Sequence, residues 1–245
     1  MEIAEHVAAL RRDGTRLADV AARVGLDAAT PTCPGWRIAD LVGHLGGAHR
    51  WAAAYLTTAS PTRFSDERVA ELRAVPDRAG LLEWFRAGHA ELVAALAGAP
   101  PDVACWTFMP APSPLAFWAR RMAHETAIHR VDAESAVPTI TGFPPEFAAD
   151  GVTELLAGFF ARSARLRADP PVSLSVRATD VDAGWTLRIG AERCEVVAAD
   201  AAADVSVAGS ASDLYLFLWN RIPADGLAVD GDASVLELWR GRATI

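Results

Sequence analysis

The sequence predicts a two-domain α+β protein: a bundle of four long helices followed by a small domain built on a mainly antiparallel sheet. Three observations carry that reading. Apolar residues recur at three- and four-residue steps over the first two-thirds of the chain, the spacing of amphipathic helices. Gly142-Phe143-Pro144 then interrupts the pattern. Beyond Asp169-Pro170-Pro171 the period falls to two, as in half-buried strands. At 245 residues the chain can bury two cores without disulfides or structural metals.

The first helix is expected over residues 2–24, where Ile3, Val7, Leu10, Leu17, Val20 and Val24 form one stripe. Residues 30–36, Thr-Pro-Thr-Cys-Pro-Gly-Trp, are too rich in breakers to be anything but a loop. A second helix follows from Arg37 to Thr58, with Ile38, Leu41, Leu45, Ala48, Ala52 and Tyr55 on one side. Leu81, Trp84, Phe85, Leu92 and Leu96 mark a third over 77–96, and a Pro-rich loop at 110–114 leads into a fourth over 115–135. Four helices of about 20 residues with some long connections suggest a four-helix bundle with crossovers. A fifth helix is expected over 145–166.

In the second domain, Val172–Val176 and Trp185–Ile189 alternate apolar and polar residues across a turn at 180–184, which predicts a hairpin. Cys194–Val197 and Val205–Ala208 read as further strands. Ser210 or Ser212 can cap a helix through Trp219, and Asp232 a last one through Arg240. The domains are expected at 1–140 and 145–245.

Composition narrows the function. A formal net charge of −8 and a pI of about 5.2 argue against nucleic acid as a partner, because phosphate binding needs a basic face. Three scattered cysteines (Cys33, Cys105, Cys194) make no disulfide framework and point to a reducing cytoplasm. The charged amino-terminal segment is not a signal peptide, and no apolar run reaches the roughly 18 residues of a membrane span. All 23 basic residues are arginine, a bias that GC-rich coding produces.

The chemistry-bearing residues are few. Of six histidines, His6 and His89 read as surface or packing residues. His44 and His49 share the second helix, and His124 and His129 the fourth. Glu125 and His129 stand at i and i+4, on one helical face, whereas His124 is turned about 100° from Glu125. A helical Glu-x-x-x-His pair offers two ligands to a divalent metal, and His44 on a facing helix could supply the third. Two histidines, a glutamate and an open position make the kind of set that catalytic zinc uses. Spacing alone leaves another reading open, an Arg121–Glu125 surface ion pair with His129 hydrogen-bonded in the core. Trp36 is expected to seat the loop–helix junction and Cys33 to be structural, whereas His49 and His124, each five residues from a proposed ligand, either pack in the bundle or look toward the rim of the site.

Residues 30–51 (TPTCPGWRIADLVGHLGGAHRW), residues 120–134 (RRMAHETAIHRVDAE) and residues 212–221 (SDLYLFLWNR) together resemble the mycothiol-dependent maleylpyruvate isomerase family. The resemblance spans nearly the whole chain. It implies a DinB-like metal-binding four-helix bundle joined to a C-terminal domain similar to sterol carrier proteins. It also implies a divalent metal, zinc by preference, on His44, Glu125 and His129. By the same resemblance Arg221, just after the apolar helix, binds an anionic substrate or the thiol cofactor in a cleft between domains. On helix chemistry alone an arginine there merely complements the helix dipole. The function implied is a mycothiol-dependent enzyme that activates the thiol for addition to an electrophilic substrate, as a cis–trans isomerase or an S-transferase. The alternative from another class is a non-catalytic metal-containing bundle carrying a lipid- or ligand-binding domain.

Overall fold

Helical periodicity in the first part of the chain is realised as α1 (Ile3–Val24), α2 (Ile38–Thr58), α3 (Asp66–Leu72), α4 (Leu81–Gly98) and α5 (Pro114–Glu134). The computed structural model describes residues 1–243; Thr244 and Ile245, the last two residues of the expected second domain, lie outside them. The chain divides into two compact units, Met1–Thr141 and the part from Gly142 onward.

In the first unit α1 packs on α4 and α5, and α2 on the same two helices, which makes a four-helix bundle. Leu17, Ile38, Leu41, Leu45 and Phe85 are fully buried between them. Each such side chain contributes about 1.5–3 kcal/mol, so this cluster gives the bundle a rigid end. Trp36 packs against its edge. The helices α2 and α5 run antiparallel: Tyr55 lies beside Trp118 at one end of their seam and His44 beside His129 toward the other. Buried charges tie α5 to α1. Arg130 and Glu134 pair at 2.6 Å with both side chains 1% exposed, and Arg16 and Asp13 reach the same pair from α1.

Local departures from the sequence expectation have local causes. The third long helix starts at Leu81 rather than Asp77, because the Asp77 carboxylate accepts the Gly80 amide at 3.1 Å and holds the segment as a turn. The short helix α3, capped by Ser65, buries none of its residues and so leaves no apolar stripe to read. The helix expected over 145–166 is α6 (Pro145–Thr153), continued by a π-helical turn over Glu154–Phe159 and a single 3-10 turn over Phe160–Arg162, where it ends.

The second unit carries a five-stranded sheet of β1 (Val172–Ala178), β2 (Gly184–Ile189), β3 (Cys194–Val197), β4 (Val205–Gly209) and β5 (Ala228–Gly231), in the order β3-β2-β1-β4-β5. All pairings are antiparallel except β1 with β4. The hairpin register sets Leu174 opposite Leu187 and Val176 opposite Trp185. Those residues, with Ile189, Val205 and Val207, form the buried face. The helices α7 (Ala211–Leu218) and α8 (Ser234–Arg242) pack on the sheet, and Ser173, Ser175, Arg177 and Arg188 alternate onto its other side. Ser210 caps α7 by accepting the Asp213 amide at 3.1 Å. The sequence reading missed β5, an edge strand exposed along its whole length and therefore without alternation. Its Gly231 sits at φ 103°, where a Cβ would meet the Asp204 carbonyl oxygen at 2.3 Å. No helix among the described residues is long and apolar enough to cross a membrane.

Candidate metal centre

His44 and Trp51 stand seven positions apart on α2, as do Trp118 and Glu125 on α5, so the antiparallel seam presents a matched ladder. Trp51 meets Trp118 edge-on at 5.0 Å, and His44 faces Glu125. At that upper level His44 Nε2 lies 3.1 Å from Glu125 Oε1, and His129 Nε2 lies 3.5 Å from the same oxygen. One turn of α5 is what brings Glu125 and His129 together. His44, Glu125 and His129 each offer a ligand atom, and these atoms lie within 4.8 Å of one another. All three side chains are partly buried.

The arrangement can be tested against a metal's needs. Nitrogen and oxygen ligands about 2.0–2.2 Å from a tetrahedral zinc ion stand about 3.3–3.6 Å apart. Of the two separations, 3.5 Å falls within that range and 3.1 Å lies just below it. The donor set fits as well. Glu125 uses only Oε1 toward the histidines, because its Oε2 accepts a hydrogen bond from Arg121 Nη2 at 2.7 Å. Arg121 is 2% exposed, so the Arg121–Glu125 pair is a buried strut and not the surface ion pair that spacing alone allowed. It coexists with the His44–Glu125–His129 grouping instead of replacing it.

His129 is held from its other side. Its Nδ1 lies 2.9 Å from Asp132 Oδ2, and a carboxylate can only accept, so Nδ1 carries the proton and donates. Asp132 is fully buried, and its Oδ1 accepts the Thr32 hydroxyl at 2.6 Å. Burial disfavours a charged His129, but its bonds to Asp132 and Glu125 outweigh that and push it up to about 9. For Glu125, burial likewise opposes the charge; Arg121 and the hydrogen bonds from His129 and His44 hold the carboxyl well below its ordinary range. Without a metal, a proton on His129 Nε2 therefore occupies the space between that nitrogen and Glu125. A divalent cation would take the proton's place, which couples binding to proton release.

The loop before α2 closes over this group. Thr30 is buried and its hydroxyl donates to the Trp36 carbonyl oxygen at 3.0 Å, while the Trp36 amide donates to the Cys33 carbonyl oxygen at 3.0 Å. Trp36 stands edge-on to His44 at 5.2 Å and stacks on His129 at 6.2 Å, so it lies against the candidate ligands as well as seating the junction. Cys33, partly exposed, has its sulfur within 4.8 Å of ligand atoms of His129 and Asp132.

The remaining histidines pack elsewhere in the bundle. His49 is fully buried and meets the Thr126 hydroxyl at 2.9 Å. His89 Nε2 donates to the Leu10 carbonyl oxygen at 3.0 Å, and the ring of His124 stands edge-on to His6. In the second unit Arg221 follows α7; its Nη1 donates to the Trp219 carbonyl oxygen at 2.8 Å and its guanidinium lies 5.9 Å from the Trp219 ring centre. Sequence reasoning passed over Asp132 and Thr32. Asp132 had a signal, its i, i+3 position after His129; Thr32 had none, because its partner lies 100 residues away.

A helical bundle with a convergent His, Glu and His group, ahead of a small α+β unit, defines the class. Residues 7–134 match the family model described as the mycothiol maleylpyruvate isomerase N-terminal domain, and residues 146–238 match the corresponding C-terminal domain. The chain belongs to that family. Among solved structures, one of the mycothiol-dependent maleylpyruvate isomerase aligns with a TM-score of 0.64 at 16% identity, over 94% of this chain and 93% of the other. A histidine-to-alanine mutant of the mycothiol-dependent maleylpyruvate isomerase aligns with a TM-score of 0.66 at 15% identity, over the same 94% and 93%. At such identities the likeness is one of fold. No curated protein matches the chain.

Proposed function

We propose that the protein is an enzyme that holds a divalent metal ion, zinc by preference, on His44, Glu125 and His129 and uses mycothiol to transform an electrophilic, anionic substrate. The observation that carries this reading is the convergence of three ligand atoms from α2 and α5 within 4.8 Å of one another. Zinc is preferred because the set combines imidazole and carboxylate with a sulfur partner. When bound, such an ion acts as a Lewis acid that favours the thiolate of a thiol whose ordinary pKa is about 8.5.

The chain's own residues do the rest. His129 presents Nε2 as a neutral donor while Asp132 keeps the proton on Nδ1. Arg121 balances the charge of Glu125 and fixes its rotamer. Trp36 lies against both histidine rings and limits their movement on that side. Arg221 is assigned to an anionic group of substrate or thiol, since a guanidinium pairs with a carboxylate bidentately.

The reaction is addition of the thiolate to an electrophilic carbon of an unsaturated acid. In an isomerase the carbon–carbon bond that addition has reduced from double to single rotates, and expulsion of the thiolate from the resulting enolate restores the double bond in the trans form. In an S-transferase the adduct takes up a proton and is released. The family favours isomerisation. A screen of cis-unsaturated acids and alkylating electrophiles, with zinc-loaded protein and with or without mycothiol, tests the reading. Turnover that requires both zinc and the thiol supports it. Ligand binding without any thiol-dependent turnover would favour a non-catalytic binding protein.

A further inference from the structure

We propose that Asp132 is a positioning residue for the metal centre and that Thr32 locks it, so that the loop over residues 30–36 is fastened to the metal through His129. The inference rests on the metal reading above and extends it to residues that touch no ligand themselves. Asp132 has both carboxylate oxygens committed within the protein: Oδ2 to His129 Nδ1 at 2.9 Å and Oδ1 to the Thr32 hydroxyl at 2.6 Å. It is fully buried, and a fully buried carboxylate is retained only where its partners compensate desolvation. Its position three residues after His129 on α5 places it behind the imidazole, on the side away from Glu125.

The physical consequence is specific. A carboxylate behind a metal-binding imidazole fixes which nitrogen is protonated, orients the ring and raises the basicity of the free nitrogen. His129 without Asp132 could rotate about χ2 or hold its proton on Nε2, and either change removes a donor from the group. Thr32 acts one step further out: its hydroxyl prevents Asp132 from turning toward another partner. Thr32 lies within the loop that the Thr30–Trp36, Thr30–Cys33 and Cys33–Trp36 hydrogen bonds close, so the ring lying against the histidines and the hydroxyl that holds Asp132 sit on one closed segment.

The experiment compares full-length wild-type, Asp132→Asn and Thr32→Val proteins. Zinc affinity is measured by competition with a chromophoric chelator, the visible spectrum is recorded after cobalt substitution, and melting temperature is read with and without zinc. Asp132→Asn should weaken zinc binding about 10- to 100-fold, and Thr32→Val about two- to tenfold, the worth of one outlying hydrogen bond. The cobalt bands should shift in Asp132→Asn, and the zinc-induced rise in melting temperature should shrink in both variants. A purely structural role would lower the metal-free melting temperature and leave zinc affinity and the cobalt spectrum unchanged; that result overturns the inference. Should Asp132→Asn not fold, the partly exposed Thr32→Val decides alone by the same criterion. Wild-type protein that binds neither zinc nor cobalt would overturn the metal reading and this inference with it, a result distinct from unaltered affinity in the variants.

Discussion

His44 on α2 and Glu125 on α5 stand 81 residues apart in sequence and meet with Nε2 3.1 Å from Oε1. Neither residue reaches the other by local geometry. The antiparallel packing of two helices along a seam of aromatic rings brings them level, and the buried Arg121 keeps the second oxygen of Glu125 occupied. The site is therefore a product of the bundle's packing, with one helical turn supplying its third member.

Arg221 is expected to serve substrate or thiol and not the metal. Arg221→Ala should leave zinc content unchanged and lower thiol-dependent turnover about ten- to a hundredfold, the loss of one charge-assisted contact of roughly 1.5–3 kcal/mol. Arg221→Lys should recover part of that, because it keeps the charge and loses the bidentate fork. Steady-state kinetics decide the point. Unchanged turnover in the Ala variant, with a slight loss of stability, would reduce Arg221 to a helix-end cation.

The buried charges joining α1 and α5 give a stability prediction. Glu134 accepts from Arg130, from Arg16 and from the Thr141 amide. Glu134→Gln removes the nearer of the two carboxylates that face the buried Arg130, leaving Asp13 Oδ1 at 3.5 Å from its Nε. The expected cost is about 1.5–3 kcal/mol, the worth of a hydrogen bond to a charged group, read by urea denaturation of metal-free protein. A loss below about 1 kcal/mol, the range of exposed pairs, would show that the network is not integral to the bundle.

Metal-free protein should be most stable near pH 6.5. The pKa of His49 lies well below the ordinary histidine value of about 6.5, chiefly through burial and then through neighbouring His89, Arg50 and His129, with Glu125 opposing. His89 is also lowered, by burial and by Arg11, against its bond to Leu10. Both stay neutral in the native state while the unfolded chain protonates, so their contribution is present above 6.5 and falls as pH drops below it. His129, pushed up to about 9 by Asp132 and Glu125 against burial, works in the other direction. Its contribution is full below 6.5 and is lost as pH rises through 9. Thermal melts from pH 5 to 9 should show both flanks, and His49→Gln should flatten the acid one. A melting temperature that rises steadily from pH 5 to 9 would contradict the assignment.

The fold class was legible because period, breakers and strand alternation agree along most of the chain. It failed where burial carries no period. The strand β5 is exposed throughout, and α3 buries nothing. The long helix α5 is buried on nearly every side, so its sequence shows no stripe and could not reveal that Arg121, Arg130, Asp132 and Glu134 all turn inward. Glu125 and His129 could be paired from their spacing, and His44 joined to them through resemblance. Thr32 could not be found, because a loop hydroxyl's partner 100 residues away leaves no local pattern.

Metal stoichiometry tests the central claim most directly. Wild-type protein, reconstituted with zinc and freed of excess, should carry about one ion per chain, while His44→Ala and His129→Ala, each missing one of three protein ligands, should lose most of it. Full zinc retention in both variants, or a wild type that retains none, would contradict the account.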